Sequence, residues 1–236
     1  LLGLLGLATG FFANPAQFYR SYLFGYLFWT GVAVGCMSIL LISHLTGGLW
    51  GLVTRRLLEA GTRTLPLMAV LFVPIAFGTS SLYTWTHPAG DPILEHKAAF
   101  LNVPFFLGRT AFYFAVWILV ASLLNRWSLE LDKGESLRVS RRLRGVSGVG
   151  LVLMGLTITF AAVDWAMSLS PHWFSTIYGI WFMVGQALSA LAVIIVIATF
   201  LAGALDFAFA RRAGFCFVFF FADVFAIVFS SRGEGL

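Results

Sequence analysis

Charge and cysteine are both scarce in this chain. Charged residues make up 11% of the 236, and cysteine contributes two, Cys36 and Cys216. A soluble domain carries roughly a quarter of its residues charged, so the deficit excludes an ordinary soluble globular domain. Each cysteine lies in an apolar run, with no CxxC pair and no CxxCH haem-attachment motif, and both read as small buried hydrophobes. Histidine is short as well: His44, His87, His96 and His172 all fall at the ends of apolar runs or between them. A membrane cytochrome b needs facing histidines inside helices, so no haem is expected here. With no Cys/His/carboxylate cluster and no glycine-rich loop, no metal or nucleotide is expected either. A Lys/Arg-rich module able to read nucleic acid is also missing.

What is there suits hydrocarbon. Hydrophobic residues reach 60% and the mean hydropathy is +0.92. A helix needs about 20 apolar residues to cross the bilayer core. The runs at 22–44, 65–82, 103–124, 148–169 and 175–205 qualify. The stretch 1–12 starts inside an apolar run, without an initiator Met or the basic region of a signal peptide. It reads as the tail of a first span in a trimmed chain. The expected fold is therefore all-α, a polytopic transmembrane bundle of six spans over residues 1–206. The remainder, 207–236, is a Phe-rich tail or partial seventh span, interrupted by Arg211, Arg212 and Asp223. Runs this long are far too long for barrel strands, which leaves helices as the spanning element. Pro66 opens the third run, where its missing N–H costs nothing, and Pro74 predicts a kink within it.

Most of the net charge of +5 is explained by topology. Arg55, Arg56 and Arg63 follow the second run, and Arg126, Lys133, Arg138, Arg141, Arg142 and Arg144 follow the fourth. The connections 83–102 and 170–174 hold few basic residues. Basic connections alternate with neutral ones, so the basic side is predicted to be cytoplasmic, with attraction to anionic membrane lipids as a by-product.

Two ionisable residues then stand out, Arg109 in the fourth span and Asp164 in the fifth. A charge at membrane depth is costly unless paired or hydrated, and it marks a functional candidate. The two spans are antiparallel neighbours. Arg109 lies about six residues, and Asp164 about five, from the ends of their spans remote from the basic side, so both sit roughly 8–9 Å deep. They are placed to pair, as a structural ion pair, a proton relay or a polar group open to an outer vestibule. Gly150, Met154, Thr157, Ala161, Asp164 and Ser168 form one small, polar stripe of the fifth span, suited to tight packing or a wet path. His44 ends the second span, as a satisfied interfacial residue or a proton entry. Glu59 sits between Arg55 and Arg63 at i,i+4 spacing, which predicts a salt-bridged cytoplasmic face. His96, with Glu95 and Lys97, forms a cluster before the fourth span, fit for proton exchange with bulk water or for a subunit contact.

Several strings are also characteristic together: Ser21-Tyr22-Leu23-Phe24, His44-Leu45-Thr46-Gly47-Gly48, Arg55-Arg56-Leu57-Leu58-Glu59-Ala60, Thr62-Arg63-Thr64-Leu65-Pro66, Leu101-Asn102-Val103-Pro104-Phe105-Phe106 and Asp164-Trp165-Ala166-Met167-Ser168-Leu169. In combination they resemble ActF, an NrfD/PsrC-like membrane subunit (quinone-binding subunit 2) of bacterial alternative complex III, a quinol:cytochrome c oxidoreductase. That family forms a bundle of about ten helices, so the resemblance covers residues 1–206, and 207–236 departs from it. The resemblance implies a bacterial inner-membrane subunit with no cofactor bound directly. Quinol would be used in the complex, and haem c and iron–sulfur clusters would lie in partner subunits. The implied partners are the NrfD-like sister subunit ActC and the iron–sulfur and multihaem cytochrome c subunits. Proton translocation is the implied role, and Asp164, Arg109 and His44 match the family pattern. A stand-alone transporter or channel, or a passive scaffold, is the alternative. A transporter's mark would be an inverted repeat with broken helices in matching positions, and none is visible.

The orientation has a direct test. A cysteine placed at Pro88 should react with a membrane-impermeant thiol reagent in intact cells, and one placed at Ser136 should not. Labelling at Ser136 but not at Pro88 would reverse the topology.

Overall fold

A computed structural model describes residues 14–47, 51, 53–88, 90–134 and 137–203. The expected first span at 1–12 and the tail at 207–236 lie outside the described residues. Within them the chain is helical, without a strand: α1 (Pro15–Thr46), α2 (Arg55–Thr62), α3 (Leu65–Leu71), α4 (Val73–Phe77), α5 (Thr79–Leu82), α6 (Pro92–Lys97), α7 (Val103–Asp132), α8 (Leu137–Trp165) and α9 (Tyr178–Gly203). Five stretches are long and apolar enough to cross a membrane: α1, the run Arg55–Phe77, α7, Leu137–Leu169 and α9. These are the properties of a multi-pass membrane protein.

Local chemistry sets the helix starts. Asn14 caps α1 by accepting from the Gln17 amide (3.1 Å), and Asn102 caps α7 by accepting from Phe105 (3.0 Å). Each is followed within two residues by a proline, which tolerates the first helical turn because its absent N–H has no partner there. Asp91 does the same for α6 through Ile93 (2.9 Å). At its other end α1 stops on Gly47, whose φ of 68° suits glycine.

The third expected span is not one straight rod. Helical structure begins earlier, at Arg55, and is broken at residues 63–64, 72 and 78 into four short helices. Pro66 and Pro74 each remove a donor from this run. Two tyrosines of α1 brace it: Tyr22 donates to the Leu71 carbonyl (2.7 Å) and Tyr26 to Met68 (3.1 Å). These bonds fall just before the break at residue 72 and hold the bent run against α1.

α1 is the central helix, and it packs against α9, α2 and α8, while α7 pairs with α8. Its middle, residues 30–41, is buried all round. A spacing unread in the sequence explains the closeness of α1 and α9. Gly31 and Gly35, four apart, face Gln186 and Ala190, and a Cβ on Gly35 would collide with the Gln186 backbone carbonyl. Small residues at this interval let two membrane helices approach backbone to backbone. The stripe predicted on the fifth span holds as a buried face: Met154, Thr157, Ala161, Asp164 and Ser168 are all at most 4% exposed. By contrast, α9 presents Ile180, Trp181, Val196 and Phe200 outward.

This packing predicts that Gly35→Leu destabilises the bundle by about 1–3 kcal/mol or more, the usual cost of overpacking. Gly25→Leu should be near neutral, since nothing stands within 4 Å of its added Cβ. Thermal unfolding in mild detergent compares the two.

Candidate functional site

The far end of the bundle, opposite the basic connections, holds the expected pair. Asp164 is wholly buried, and Arg109 meets it with both prongs: Nε donates to Oδ2 (2.9 Å) and Nη2 to Oδ1 (2.8 Å). The depth match of α7 and α8 brings the two together. Arg109 is held from three further sides. Its Nη1 donates to the Phe100 carbonyl (3.0 Å), and the guanidinium lies 3.8 Å from the Phe100 ring centre and 4.2 Å from that of Phe105. Bidentate geometry and aromatic stacking are what arginine, unlike lysine, can supply.

A third member escaped sequence reasoning. Tyr113, one turn along α7, donates its hydroxyl to Asp164 Oδ2 (2.7 Å). The carboxylate is thus held by three donors, which offsets the desolvation of a buried charge. An aromatic shelf backs it. Trp165 donates to Thr110 Oγ1 (3.1 Å), and Trp117 to Thr157 Oγ1 (2.9 Å). Ser168 donates to the Asp164 carbonyl, and Tyr83 to that of Trp165 (3.0 Å). Burial, helped by the nearby Asp164 charge, pushes the Tyr83 phenol far above the usual tyrosine range, which keeps it a donor. So Thr157 and Ser168 both join the site, Ser168 through the backbone of Asp164 and Thr157 through Trp117.

His96 does not. It is exposed on α6, away from this network, while its neighbour Lys97 donates to the Pro171 carbonyl (2.6 Å) and ties the two far-end connections together.

The basic end holds a second buried carboxylate. Glu59 is salt-bridged, as the i,i+4 spacing predicted, but at 1% exposed it lies in the interior and not on an open face. Arg55 does stand at i,i+4 (3.7 Å), but the close partner is Arg56 (2.5 Å), and Arg63 makes no ion pair among the described residues. Ser128 of α7 donates to Glu59 Oε1, and Asp132 bridges to both Arg55 (2.6 Å) and Arg56. Thr62 and Asn125 extend the cluster, with Asn125 Nδ2 donating to Thr62 Oγ1 (2.9 Å). Helix α2 folds onto α7 and α1 here, which is why Leu58, Glu59 and Thr62 are interior. His44 lies toward the same end, and its Nε2 is buried with no protein hydrogen bond, as are Thr54 Oγ1, Asn125 Oδ1 and Ser147 Oγ. A dry orphan polar atom costs about 1–3 kcal/mol. Unpartnered buried atoms thus gather around the basic end, with Trp85 Nε1 a further one at the far end. Both carboxylates are held, Asp164 by Arg109 and Tyr113, and Glu59 by Arg56, Ser128 and Arg55.

One face of α7 joins the two ends. Arg109, Tyr113, Trp117, Ala121, Asn125 and Ser128 recur at three- or four-residue spacing and, apart from Arg109, are all buried. From Arg109 to Ser128 is about 28 Å at 1.5 Å per residue. With Arg109 roughly 8–9 Å inside its end of the span, Ser128 and Glu59 stand at the basic-side boundary of a core about 30 Å thick. Between Trp117 and Asn125, roughly 12 Å apart along the axis, the face carries Val120, Ala121 and Leu124, with Gly150 of α8 close to Val120. Among the described residues no three His, Cys, Asp or Glu side chains cluster as a metal site would.

Compared with known proteins, the chain matches no family model and no curated sequence. The functional reading therefore rests on its own residues.

Tyr113→Phe should cost about 1–3 kcal/mol, since it strips a charged hydrogen bond from a buried carboxylate. Phe112→Tyr beside it, on the exposed side of α7, should be within about 0.5 kcal/mol of wild type. Detergent unfolding of both variants is the measurement.

Proposed function

We propose that this chain is an integral-membrane subunit of a quinol:electron-acceptor oxidoreductase of the alternative complex III type, in the bacterial inner membrane. It contributes to assembly, to the surroundings of the quinone site and to proton translocation. One observation carries the reading: two buried carboxylates, Glu59 and Asp164, stand at opposite ends of a single buried face of α7 that is polar at both ends. Buried carboxylates cost several kcal/mol unless paired, and charged groups inside a membrane bundle are usual components of a proton route. The characteristic strings noted in the sequence favour the same complex.

On this reading the chain carries no redox centre of its own. Quinol is oxidised in the complex, and electrons pass to haem c and iron–sulfur clusters in partner subunits. Glu59, with His44 nearby, receives protons on the basic side. Asp164, Arg109 and Tyr113 form the far-side terminus. The apolar interval around Ala121 and Leu124 acts as the barrier between the two, and water must bridge it transiently for a proton to cross. An NrfD-like sister subunit covers part of the lipid-depth surface.

Affinity purification of the chain from its native membrane tests the assignment. Multihaem cytochrome c and iron–sulfur polypeptides should copurify, while a monodisperse folded chain purified alone would oppose it. Within the complex, Asp164→Asn should cut quinol-driven proton release more than it cuts assembly. Unchanged turnover and proton release would remove Asp164 from the route.

A further inference from the structure

Among the described residues, arginines without a carboxylate partner gather at the start of α8, where Arg144 stands beside Arg138, Arg141 and Arg142 but off their face. Arg55, Arg56, Arg109 and Arg126 each have a carboxylate partner. Arg138, Arg141 and Arg142 have none among the described residues, and all three are exposed. They occupy the first two turns of α8. Cations at that position work against the positive end of the helix dipole, so helix stability alone does not account for them.

Their placement on the helix is specific. Continuing from Arg138, Arg141 and Arg142 at helical spacing, the same face runs through Gly145 to Val149, Val152, Leu156 and Phe160. Those four are 64%, 65%, 56% and 48% exposed. The opposite face, with Val139, Leu143, Ser147, Gly150 and Met154, is the one buried in the bundle. The arginine triad therefore stands directly over an outward-facing apolar stripe. Arg142 and Arg138 lie about 9 and 15 Å before Gly148, where the apolar run begins. From there the long side chains of Arg141 and Arg142 can reach down to the headgroup layer, with Arg138 at its outer edge. Between the triad and the stripe is Gly145, where an added Cβ would have nothing within 4 Å, so no side chain separates the two.

We infer that this face of α8 binds an anionic phospholipid. Its phosphate sits on Arg138, Arg141 and Arg142, and an acyl chain lies along Val149, Val152 and Leu156. The charge complementarity is direct: guanidiniums pair with phosphate oxygens through planar, two-pronged hydrogen bonds. A general preference of basic residues for the cytoplasmic side places charge in this connection, but it does not require three arginines in register with a lipid-facing stripe. The site is independent of the proton route and stands whether or not the oxidoreductase reading does.

The test uses the full chain in nanodiscs containing phosphatidylglycerol with phosphatidylcholine in excess, read by native mass spectrometry of retained lipid. Wild type should retain phosphatidylglycerol over phosphatidylcholine. Each arginine removed in the series R142Q, R141Q/R142Q and R138Q/R141Q/R142Q should lower that preference about fivefold. The control R126Q/K133Q, with charge removed from the same connection off this face, should keep it. The single R142Q keeps most of the positive charge, so insertion is preserved even where the triple variant fails to insert. Equal loss in R142Q and the control, or an unchanged preference in R142Q, would overturn the site. So would a photo-crosslinker at Arg141 that captures a polypeptide in native membranes in place of lipid.

Discussion

The bidentate contact between Arg109 and Asp164 is the constraint on which the far half of the bundle depends. A carboxylate with no exposed surface is stable in a membrane protein only if its lone pairs are filled, and here Arg109 and Tyr113 fill them. That requirement fixes the register of α7 against α8. It also fixes the preceding connection, because the Phe100 carbonyl and ring and the Phe105 ring all hold the same guanidinium. The neighbouring bonds, Trp165 to Thr110 and Tyr83 to Trp165, then tie the broken third span and the far-end turns to the pair. Burying an ion pair is weak evidence for stability compared with an apolar replacement, but removing one partner is costly. Such a site is consequently kept in place by its own geometry once it exists.

The two ends of α7 solve the same problem differently. At the far end one arginine, one tyrosine and one aspartate close on themselves. At the basic end Glu59 and Asp132 share Arg55 and Arg56, and Ser128 completes the cluster. Around it, His44, Thr54, Asn125 and Ser147 retain unspent hydrogen-bonding atoms. A saturated site resists change in its protons, and an unsaturated one admits water.

Much of this was legible in the sequence because bilayer physics leaves few options. Long apolar runs marked the helices, and equal depth on antiparallel neighbours paired Arg109 with Asp164. The three- and four-residue spacing from Gly150 to Ser168 marked the buried face of α8. Tyr113 was missed because an aromatic in an apolar run reads as lipid-facing or core. The signal was its position four residues after Arg109, repeated at Trp117 and again at Asn125. The burial of Glu59 was illegible for a different reason. An i,i+4 charge pattern describes one helix, and only the folding of α2 onto α7 turns that face inward. Gly31 and Gly35 likewise acquire meaning only opposite Gln186.

A double-mutant cycle on Arg109 and Asp164 addresses the central claim most directly. Unfolding free energies in detergent would be measured for Arg109→Leu, Asp164→Leu and the double variant. Each single substitution leaves one buried charge uncompensated and should cost about 3–5 kcal/mol. The double variant should cost clearly less than their sum, and less than either alone if the apolar pair packs well. Additive losses would contradict the account, since they would mean that the two residues stabilise the bundle independently and that their contact is not what organises its far half.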